Sequence, residues 1–290
     1  MSIERRHVLV TGATGNQGSS VVNALLEGGH RVRALVRDLE SKGAKALAAR
    51  GVELAKGDFD HPATITAAAE GTDTTFIVST PFTGGPELET RQGIAAVDAA
   101  RAAGSGHIVY TSVSDANDAT GIPHFDSKHL VEQHLVKSGA PHTIVAPVLF
   151  MENFGAPWMA PALRDGKLVM ALPASRKLQS IDVRSIGRFT AHVIAGREAF
   201  FGKRIDIASD EHTGDEAAAI FSAVLGRKID YVALPPAALR AQSEDMAIMF
   251  EWFDKVGYGA DIAALRRDYP EIGWPSLADW AKASLPALLA

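Results

Sequence analysis

Three glycines spaced three residues apart constrain the fold of this chain more than any other feature. Gly12, Gly15 and Gly18 directly follow the apolar stretch His7–Val10, and an amphipathic helical pattern opens at Ser19. A strand that ends in glycines lets the backbone approach a pyrophosphate, whose charge meets the unpaired N–H groups of the next helix. The segment predicts a dinucleotide-binding site, although its spacing departs from the commoner G-x-G-x-x-G. The open alternative is a glycine-rich turn without a ligand. The predicted phosphate contacts are Gly12, Thr14, Gly15, Asn16, Gln17 and Gly18.

Strand-like and helix-like segments alternate along the first half of the chain. Such alternation is typical of a parallel sheet with helices on both faces. Gly71, Gly104 and Gly139 each close a helical segment before a strand begins. The pattern predicts an α/β fold with a doubly wound parallel sheet of the Rossmann type. The six predicted strands are His7–Thr11, Arg31–Val36, Val52–Ala55, Thr74–Ser79, His107–Thr111 and His142–Ala146.

The regular alternation stops at Pro147, where a segment rich in proline, aromatic residues and methionine begins. We interpret this change as the crossing into a smaller C-terminal α+β lobe. We therefore predict a dinucleotide-binding domain at residues 1–150 and a substrate or partner lobe at 151–290, with the return of late segments to the first sheet left open. Thr213 and Glu216 predict a capping box. The later predicted elements are strands Leu168–Met170, Arg204–Ile207 and Lys228–Val232, and helices Arg184–Ala195 and Gly214–Leu225.

Composition excludes several classes of function. The chain has no cysteine, which rules out disulfides and thiolate chemistry. Its ten histidines are scattered, and we predict no metal site. A net charge of -5 without a dense Lys/Arg cluster argues against direct nucleic-acid binding. No apolar run approaches the roughly 18 residues that span a bilayer, and the charged segment Met1–Arg6 is not typical of a signal peptide. We therefore predict a cytoplasmic protein without membrane contacts.

The end of the second predicted strand distinguishes NADP from NAD. An acidic residue there binds the ribose 2′-OH of NAD, whereas a basic residue favours the additional phosphate of NADP. Arg37 follows Val36 directly, about 20 residues after the last glycine of the loop. Because a guanidinium fits a phosphate with two hydrogen bonds, we predict NADP(H) as the cofactor. Asp38, the next residue, keeps NAD open as the alternative.

The next two strands end in further candidate contacts. Asp58 and Phe59 follow the third strand, where an adenine lies in this fold, and the Asp58 carboxylate could accept from the adenine amino group. In the alternative interpretation, the neighbouring Asp60 has a structural role and caps the helix that starts after it. The fourth strand ends at the carboxyl edge of the sheet, where we predict nicotinamide-side contacts from Thr80 and Pro81.

Catalytic residues are harder to predict. Short-chain dehydrogenases use a Tyr-x-x-x-Lys pair, in which Tyr donates a proton and Lys binds the ribose. Here His124 stands in the tyrosine position, and Lys128 retains the lysine. We predict Lys128 and His124 as catalytic residues, the alternative being that the helix begins at Asp126 or Ser127 and leaves His124 in a loop. Ser112 and Ser114 are weaker candidates for positioning a carbonyl, with loop capping as their alternative role.

With these residues in place, the chain resembles the NmrA-like family, an atypical short-chain dehydrogenase/reductase group that includes an NADPH sensor and quinone reductases. The resemblance implies that the glycine loop, Arg37, Lys128 and Asn153 contact NADP(H), with Asn153 on the nicotinamide side. Replacement of the tyrosine by His124 resembles members that bind the cofactor without turnover. The segments that carry the resemblance are Val10–Gly18, Val36–Arg37, Gly57–Asp58, Thr75–Val78, His124–Lys128 and Phe150–Phe154.

Two functions are compatible with these features. As an enzyme, the protein would be an NADPH-dependent oxidoreductase that reduces a small apolar acceptor such as a quinone or enone in a cleft between the lobes. As a redox sensor, it would bind NADPH and NADP in different conformations and regulate a protein partner. We favour the reductase. Homodimers are common in related folds, but no pattern in this chain predicts one. The predicted substrate contacts, with core packing as their alternative, are Phe82, Phe150, Met151, Phe154 and Trp158.

Overall fold

The computed structural model describes residues 4–290, which divide into two units. Unit 1 comprises residues 4–117, His124–Ala146 and Ile186–Ile205. Unit 2 comprises the remainder, Asp118–Pro123, Pro147–Ser185 and Asp206–Ala290. Unit 1 is thus built from three separate stretches of chain, whereas the sequence predicted a single boundary near residue 150.

The strands and helices of residues 4–290 alternate through most of unit 1. The strands are β1 (His7–Val10), β2 (Arg31–Val36), β3 (Glu53–Lys56), β4 (Thr74–Val78), β5 (Ile108–Thr111), β6 (His142–Pro147), β7 (Leu149–Phe150), β8 (Lys167–Met170), β9 (Lys177–Ile181), β10 (Lys203–Ile207), β11 (Asp210–Thr213) and β12 (Asp230–Ala233). The helices are α1 (Asn16–Glu27), α2 (Lys42–Ala48), α3 (Pro62–Ala69), α4 (Gly85–Ala102), α5 (Pro123–Lys137), α6 (Ala160–Arg164), α7 (Val183–Gly196), α8 (Gly214–Leu225), α9 (Pro236–Arg240), α10 (Glu244–Lys255), α11 (Ile262–Asp268) and α12 (Leu277–Leu289).

A seven-stranded sheet of order β10-β6-β5-β4-β1-β2-β3 forms the centre of unit 1. Strands β1 to β6 pair in parallel, which confirms the predicted doubly wound sheet. The direction of winding reverses between β1 and β4, and ligands of such sheets bind at the carboxyl ends of the strands at this reversal. The two strands are also joined there by a hydrogen bond, because Thr11 Oγ1 accepts the Val78 N–H at 2.9 Å.

The core of unit 1 lies between the sheet and the helices on its faces. Val97 of α4 and Val131 of α5 are fully buried with Ile77 and Ile108 of the central strands. Helices α4 and α5 approach closely, since a Cβ at Gly93 would lie 2.6 Å from Val131 Cγ2. Strands β1, β5 and β6 are buried along their whole length, as expected for parallel strands covered on both faces, whereas β2 and β3 keep exposed residues.

Helix α7 and strand β10 return to the Rossmann sheet. A Cβ at Gly187 would lie 2.5 Å from the Ser20 carbonyl oxygen, so α7 packs directly on α1. Strand β10 forms the sheet edge beside β6. These contacts explain why residues 186–205 belong to unit 1, although the regular alternation in the sequence stops before them.

Unit 2 has the smaller α+β architecture predicted for the C-terminal lobe. Its sheets are β11-β9-β7 and the parallel pair β12-β8. The predicted capping box is confirmed, because the side chain of Thr213 accepts from Glu216 N while the Glu216 carboxylate accepts from Thr213 N. Strands β7, β9 and β11 were absent from the sequence prediction. Strand β9 lacks an apolar sequence pattern because its buried residues Gln179 and Ser180 are polar, and they form hydrogen bonds with Ala260 and His212.

Within residues 4–290, we find no helix that is both long and apolar enough to cross a membrane.

Candidate dinucleotide-binding site

The three glycines of the loop differ in whether the surrounding atoms would leave room for a side chain. Gly12 adopts a left-handed φ of 60°, and a Cβ there would lie 2.5 Å from Val78 Cγ1. A Cβ at Gly18 would lie 2.1 Å from the Gly12 carbonyl oxygen. A Cβ at Gly15 would lie 3.4 Å from the Gly12 carbonyl oxygen, an ordinary van der Waals distance, and the Gly15 N–H donates to the same oxygen at 2.9 Å. Gly12 and Gly18 are thus required by the loop's own packing, whereas Gly15 has room for a Cβ.

Gly15 lies at the start of α1. The helix begins at Asn16, so the predicted start at Ser19 is wrong by one turn, because Gly15 in extended conformation serves as the N-cap residue. Among residues 4–290, the backbone amides of Asn16, Gln17 and Gly18 have no backbone acceptor. Such amides and the positive helix end suit a pyrophosphate, so the residues present fit a dinucleotide. The exposed residues of the loop are Gly12, Thr14, Gly15 and Asn16.

We expect Gly18→Ala to lower the free energy of unfolding by about 2 kcal/mol, as for other overpacked sites. The added methyl group would meet backbone atoms of Gly12, which cannot move without opening the loop. Urea unfolding followed by far-ultraviolet circular dichroism measures the change. Gly15→Ala is the matched control and should cost at most about 1 kcal/mol, the preference of the N-cap for glycine over alanine, because its Cβ would meet no atom closer than 3.4 Å. Equal losses in the two variants would contradict this packing role.

Arg37 stands at the carboxyl end of β2 as an exposed cation. In the described part of the chain its guanidinium makes no hydrogen bond or ion pair. Asp38 is already engaged in the turn that leads to α2, because its Oδ1 accepts the Glu40 N–H and its carbonyl accepts the Ser41 hydroxyl, both at 2.9 Å. Within the described residues, Arg37 is therefore an unpaired cation available to a ligand, whereas Asp38 uses one of its two carboxylate oxygens in the turn.

Asp58 organises the turn after β3. Its Oδ1 accepts the N–H groups of Asp60 and His61 and lies 2.9 Å from His61 Nδ1. The hydrogen bond with His61 holds the pKa of Asp58 below its ordinary value. The alternative in which Asp60 caps α3 is wrong, since His61 is the N-cap residue and Asp60 instead accepts from Gln92 Nε2 at 2.8 Å. The half-buried Phe59 packs against the core of unit 1, and its adenine contact, like that of Asp58, stays a prediction.

After β4 the chain forms an exposed turn. Thr80 is exposed, and its hydroxyl oxygen accepts the Phe82 N–H at 3.4 Å at the start of the short 3₁₀ helix Pro81–Thr83. The Phe82 side chain is 79% exposed. An aromatic ring left in solvent beside this strand end is available for a ligand, which keeps Phe82 as a predicted substrate contact.

Helix α5 begins at Pro123, a residue that suits a first helical turn. The alternative start at Asp126 or Ser127 is therefore wrong, and His124 lies in the helix rather than in a loop. His124 is only 7% exposed. It stands one turn before Lys128, as the tyrosine of a Tyr-x-x-x-Lys pair would.

Lys128 reaches the carboxyl end of β4. Its Nζ donates to the Ser79 carbonyl at 3.1 Å and to Glu89 Oε1 at 2.7 Å. An ammonium group has three N–H donors, so one remains for a ligand. Ser79 directly follows Val78, which itself packs against Gly12 of the glycine loop. The lysine cation and the glycine loop thus lie at the same reversal point of the sheet.

The segment after β5 holds the two candidate serines. Ser112 is buried, and its hydroxyl has no hydrogen-bond partner within residues 4–290. Ser114 donates to Asp115 Oδ2 at 2.6 Å, which is the local loop role left open as the alternative for it. Gln17 Nε2 donates to Thr111 Oγ1 at 2.5 Å and so ties the first turn of α1 to the end of β5.

Sequence reasoning missed Glu89 and Tyr110. Glu89 is fully buried on α4 and accepts from Lys128, and Tyr110 lies 3.0 Å from the Ser79 hydroxyl. Burial, and next the Glu89 carboxylate, raise the pKa of Tyr110 well above its ordinary value. A signal existed for Glu89, because it occupies the apolar stripe that continues through Gly93 and Val97. A charged residue on such a stripe needs a buried partner.

The remaining predicted residues belong to unit 2. Asn153 is half-buried in the short 3₁₀ helix Met151–Gly155. Met151 and Phe154 are 0% and 1% exposed, and Phe154 packs on Phe221 with ring centroids 5.0 Å apart. Both side chains pack in the core of unit 2 and expose almost no surface that a substrate could contact. Phe150 is half-buried, whereas Trp158 is 73% exposed.

The sheet order, the glycine loop and the unpaired amides of α1 define a dinucleotide-binding protein of the Rossmann type. Residues 4–281 match the model of the NmrA-like family, and the chain belongs to this family of NAD(P)-binding oxidoreductases.

Relatives of this chain include enzymes and a regulator. It is 34% identical over 232 residues to an NAD(P)H azoreductase of Xenophilus azovorans, covering 78% of this chain and 77% of the relative. It is 25% identical to the NADPH-dependent quinone oxidoreductase of Escherichia coli, solved with NADPH, with a TM-score of 0.80 and coverage of 98% and 100%. The negative transcriptional regulator Nmra, solved with NADP and with NAD, shares the fold at 23% identity, a TM-score of 0.82 and coverage of 98% and 96%.

Proposed function

We propose that the protein is an NADP(H)-dependent reductase of a small apolar acceptor such as a quinone or enone. The observation that carries the proposal is the ammonium group of Lys128, held at the carboxyl end of β4 with one N–H to spare. The azoreductase and quinone oxidoreductase among its relatives support reduction as the type of reaction.

The cofactor residues follow from unit 1. The amides of Asn16 and Gln17 would hold the pyrophosphate, and Arg37 would bind the 2′-phosphate that distinguishes NADP from NAD. The unpartnered guanidinium of Arg37 supports NADP(H) over NAD(H). Thr80 and Pro81 are proposed contacts of the nicotinamide side, and the nicotinamide contact of Asn153 stays a prediction from the family resemblance.

When bound, the reduced nicotinamide supplies a hydride. Lys128 binds ribose hydroxyls through its remaining N–H, and its charge is balanced by Glu89, 2.7 Å away. The exposed ring of Phe82 offers an apolar surface to the acceptor. Because a quinone is a good electron acceptor and takes protons from solvent, the reaction does not depend on the tyrosine that His124 replaces.

Loss of NADPH absorbance against a panel of quinones, enones and aldehydes tests the reductase. We expect turnover with at least one acceptor. Lys128→Ala should lower kcat/KM about 100-fold, which is the size of the rate loss seen when a catalytic hydrogen-bond donor is removed. Lys137→Ala is the matched control, because Lys137 lies exposed at the end of the same helix. An unchanged kcat/KM in Lys128→Ala would contradict the role of this lysine.

The alternative function is an NADPH/NADP sensor that regulates a protein partner. It is favoured by one observation, the replacement of the catalytic tyrosine by a histidine that is only 7% exposed. The fold of the regulator Nmra is consistent with it. Tight NADPH binding without turnover across the panel, together with different limited-proteolysis patterns in NADPH and NADP, would support the sensor and overturn the reductase.

A further inference from the structure

Helix α4 carries a carboxylate where its packing pattern calls for an apolar side chain. Glu89 is 0% exposed and shares the buried face of the helix with Gly93, Ala96 and Val97. Removing a carboxylate from water is costly unless it is paired and hydrogen-bonded. The buried environment of Glu89 therefore requires dedicated partners.

Three donors meet the two oxygens of the carboxylate. Glu89 Oε1 accepts from Lys128 Nζ at 2.7 Å and from the Ser79 hydroxyl at 3.0 Å. Oε2 accepts from the Ser127 hydroxyl at 2.5 Å. Ser79 and Lys128 are further joined, because Lys128 Nζ also donates to the Ser79 carbonyl at 3.1 Å. Three elements, α4, α5 and the end of β4, thus meet at one carboxylate.

The arrangement removes most of the freedom of a flexible side chain. A lysine that is free in solution samples many rotamers, and fixing it in a binding site costs entropy. Here two of the three ammonium N–H donors are bound to groups that are themselves buried, and the Lys128 side chain is only 12% exposed. The cation is therefore held in place before any ligand arrives.

We propose that Glu89 is a positioning residue that holds the Lys128 ammonium at the end of β4 for the nicotinamide-side ribose of a bound dinucleotide. The inference rests on the proposed cofactor site, but it does not require turnover. Glu89 acts through Lys128 and does not itself contact the ligand.

Binding of two ligands by calorimetry tests the proposal. NADPH carries the nicotinamide-side ribose, whereas adenosine 2′,5′-bisphosphate lacks it. We expect Glu89→Gln to raise the Kd of NADPH about tenfold, because the ammonium loses its charged partner and is held less firmly, and to change the Kd of the bisphosphate less than about twofold. The glutamine keeps the volume, can accept from Lys128 through its oxygen and can donate to the Ser127 hydroxyl. A purely structural role would weaken both ligands equally, and that result overturns the proposal.

A double-mutant cycle connects the effect to Lys128. Lys128→Met alone should weaken NADPH binding, and Glu89→Gln added to it should weaken binding no further, because the group that Glu89 positions is gone. Additive losses would overturn the proposal. Ser127→Ala is the control, since it removes a neutral donor to the same carboxylate and keeps the charge; we expect a change below about threefold.

A second variant covers the case in which Glu89→Gln does not fold. Glu89→Asp keeps the buried charge but draws the carboxylate back by one methylene from Lys128. We expect the same selective loss of NADPH affinity, at about threefold or more, with the bisphosphate unaffected. Retention of full NADPH affinity in a folded Glu89→Asp variant would overturn the proposal. Absence of turnover in the wild type would overturn the reductase alone, because these binding measurements would remain decisive for Glu89.

Discussion

Gly15→Val is expected to raise the Kd of both NADPH and NADH at least about a thousandfold, which corresponds to about 4 kcal/mol. Gly15 is the loop glycine that has room for a side chain, because a Cβ added there would lie 3.4 Å from the Gly12 carbonyl oxygen. A branched side chain would occupy the space through which a pyrophosphate approaches the first amides of α1. Calorimetric titration with each coenzyme measures the loss.

The fold should survive this substitution. Gly15 has a φ of -88° and lies outside the helix, so a valine is sterically compatible with its backbone. Ser19→Val is the matched control: it adds bulk in the first turn of the same helix, where the amide is already bonded to the Gly15 carbonyl at 2.9 Å. If Gly15→Val bound NADPH with wild-type affinity, the loop would not be the phosphate site.

Arg37→Glu is expected to raise the Kd of NADPH about 100-fold and to change that of NADH less than about threefold. The substitution removes two charge-assisted hydrogen bonds to the 2′-phosphate and places a carboxylate against it. NADH has no such phosphate and presents a hydroxyl that a glutamate can accept from. Fluorescence titration with the two reduced coenzymes measures the selectivity.

Arg50→Glu provides the charge-matched control for this result. Arg50 is also exposed, but it precedes β3 and so lies at the opposite end of the parallel strands from Arg37. We expect both affinities to stay within about twofold of wild type, since exposed charges more than about 10 Å apart are screened at ordinary salt. Equal losses of NADPH and NADH in Arg37→Glu would overturn the 2′-phosphate assignment.

Short-range patterns accounted for the sheet of unit 1 but not for the partners of individual polar groups. Strand-like segments punctuated by glycines predicted β1 to β6, and the strands β1, β4, β5 and β6 are almost wholly buried, which makes their sequences mostly apolar. Local sequence also offered Asp60 as an alternative cap of α3. In the structure Asp58 organises that turn, and Asp60 is drawn to Gln92 of α4, a contact between residues far apart in sequence.

Unit 2 shows the limit of pattern reasoning for strands and for apolar clusters. Strand β9 was missed because its buried polar side chains are satisfied by residues from distant segments. Met151 and Phe154 were predicted to contact substrate because they are apolar and lie in a motif. Their burial in the core depends on elements more than sixty residues later in the chain, such as α8 with Phe221.

By itself the sequence determined that the first half of the chain winds a parallel sheet, that a glycine loop opens α1, and that a cation follows β2. These features arise from local periodicity and from backbone conformations that glycine permits, so they can be read from neighbouring residues. Only the tertiary structure decided that Glu89 and Lys128, 39 positions apart in the chain, meet at the end of β4. A buried ion pair depends on how three elements pack, and no local pattern encodes that distance.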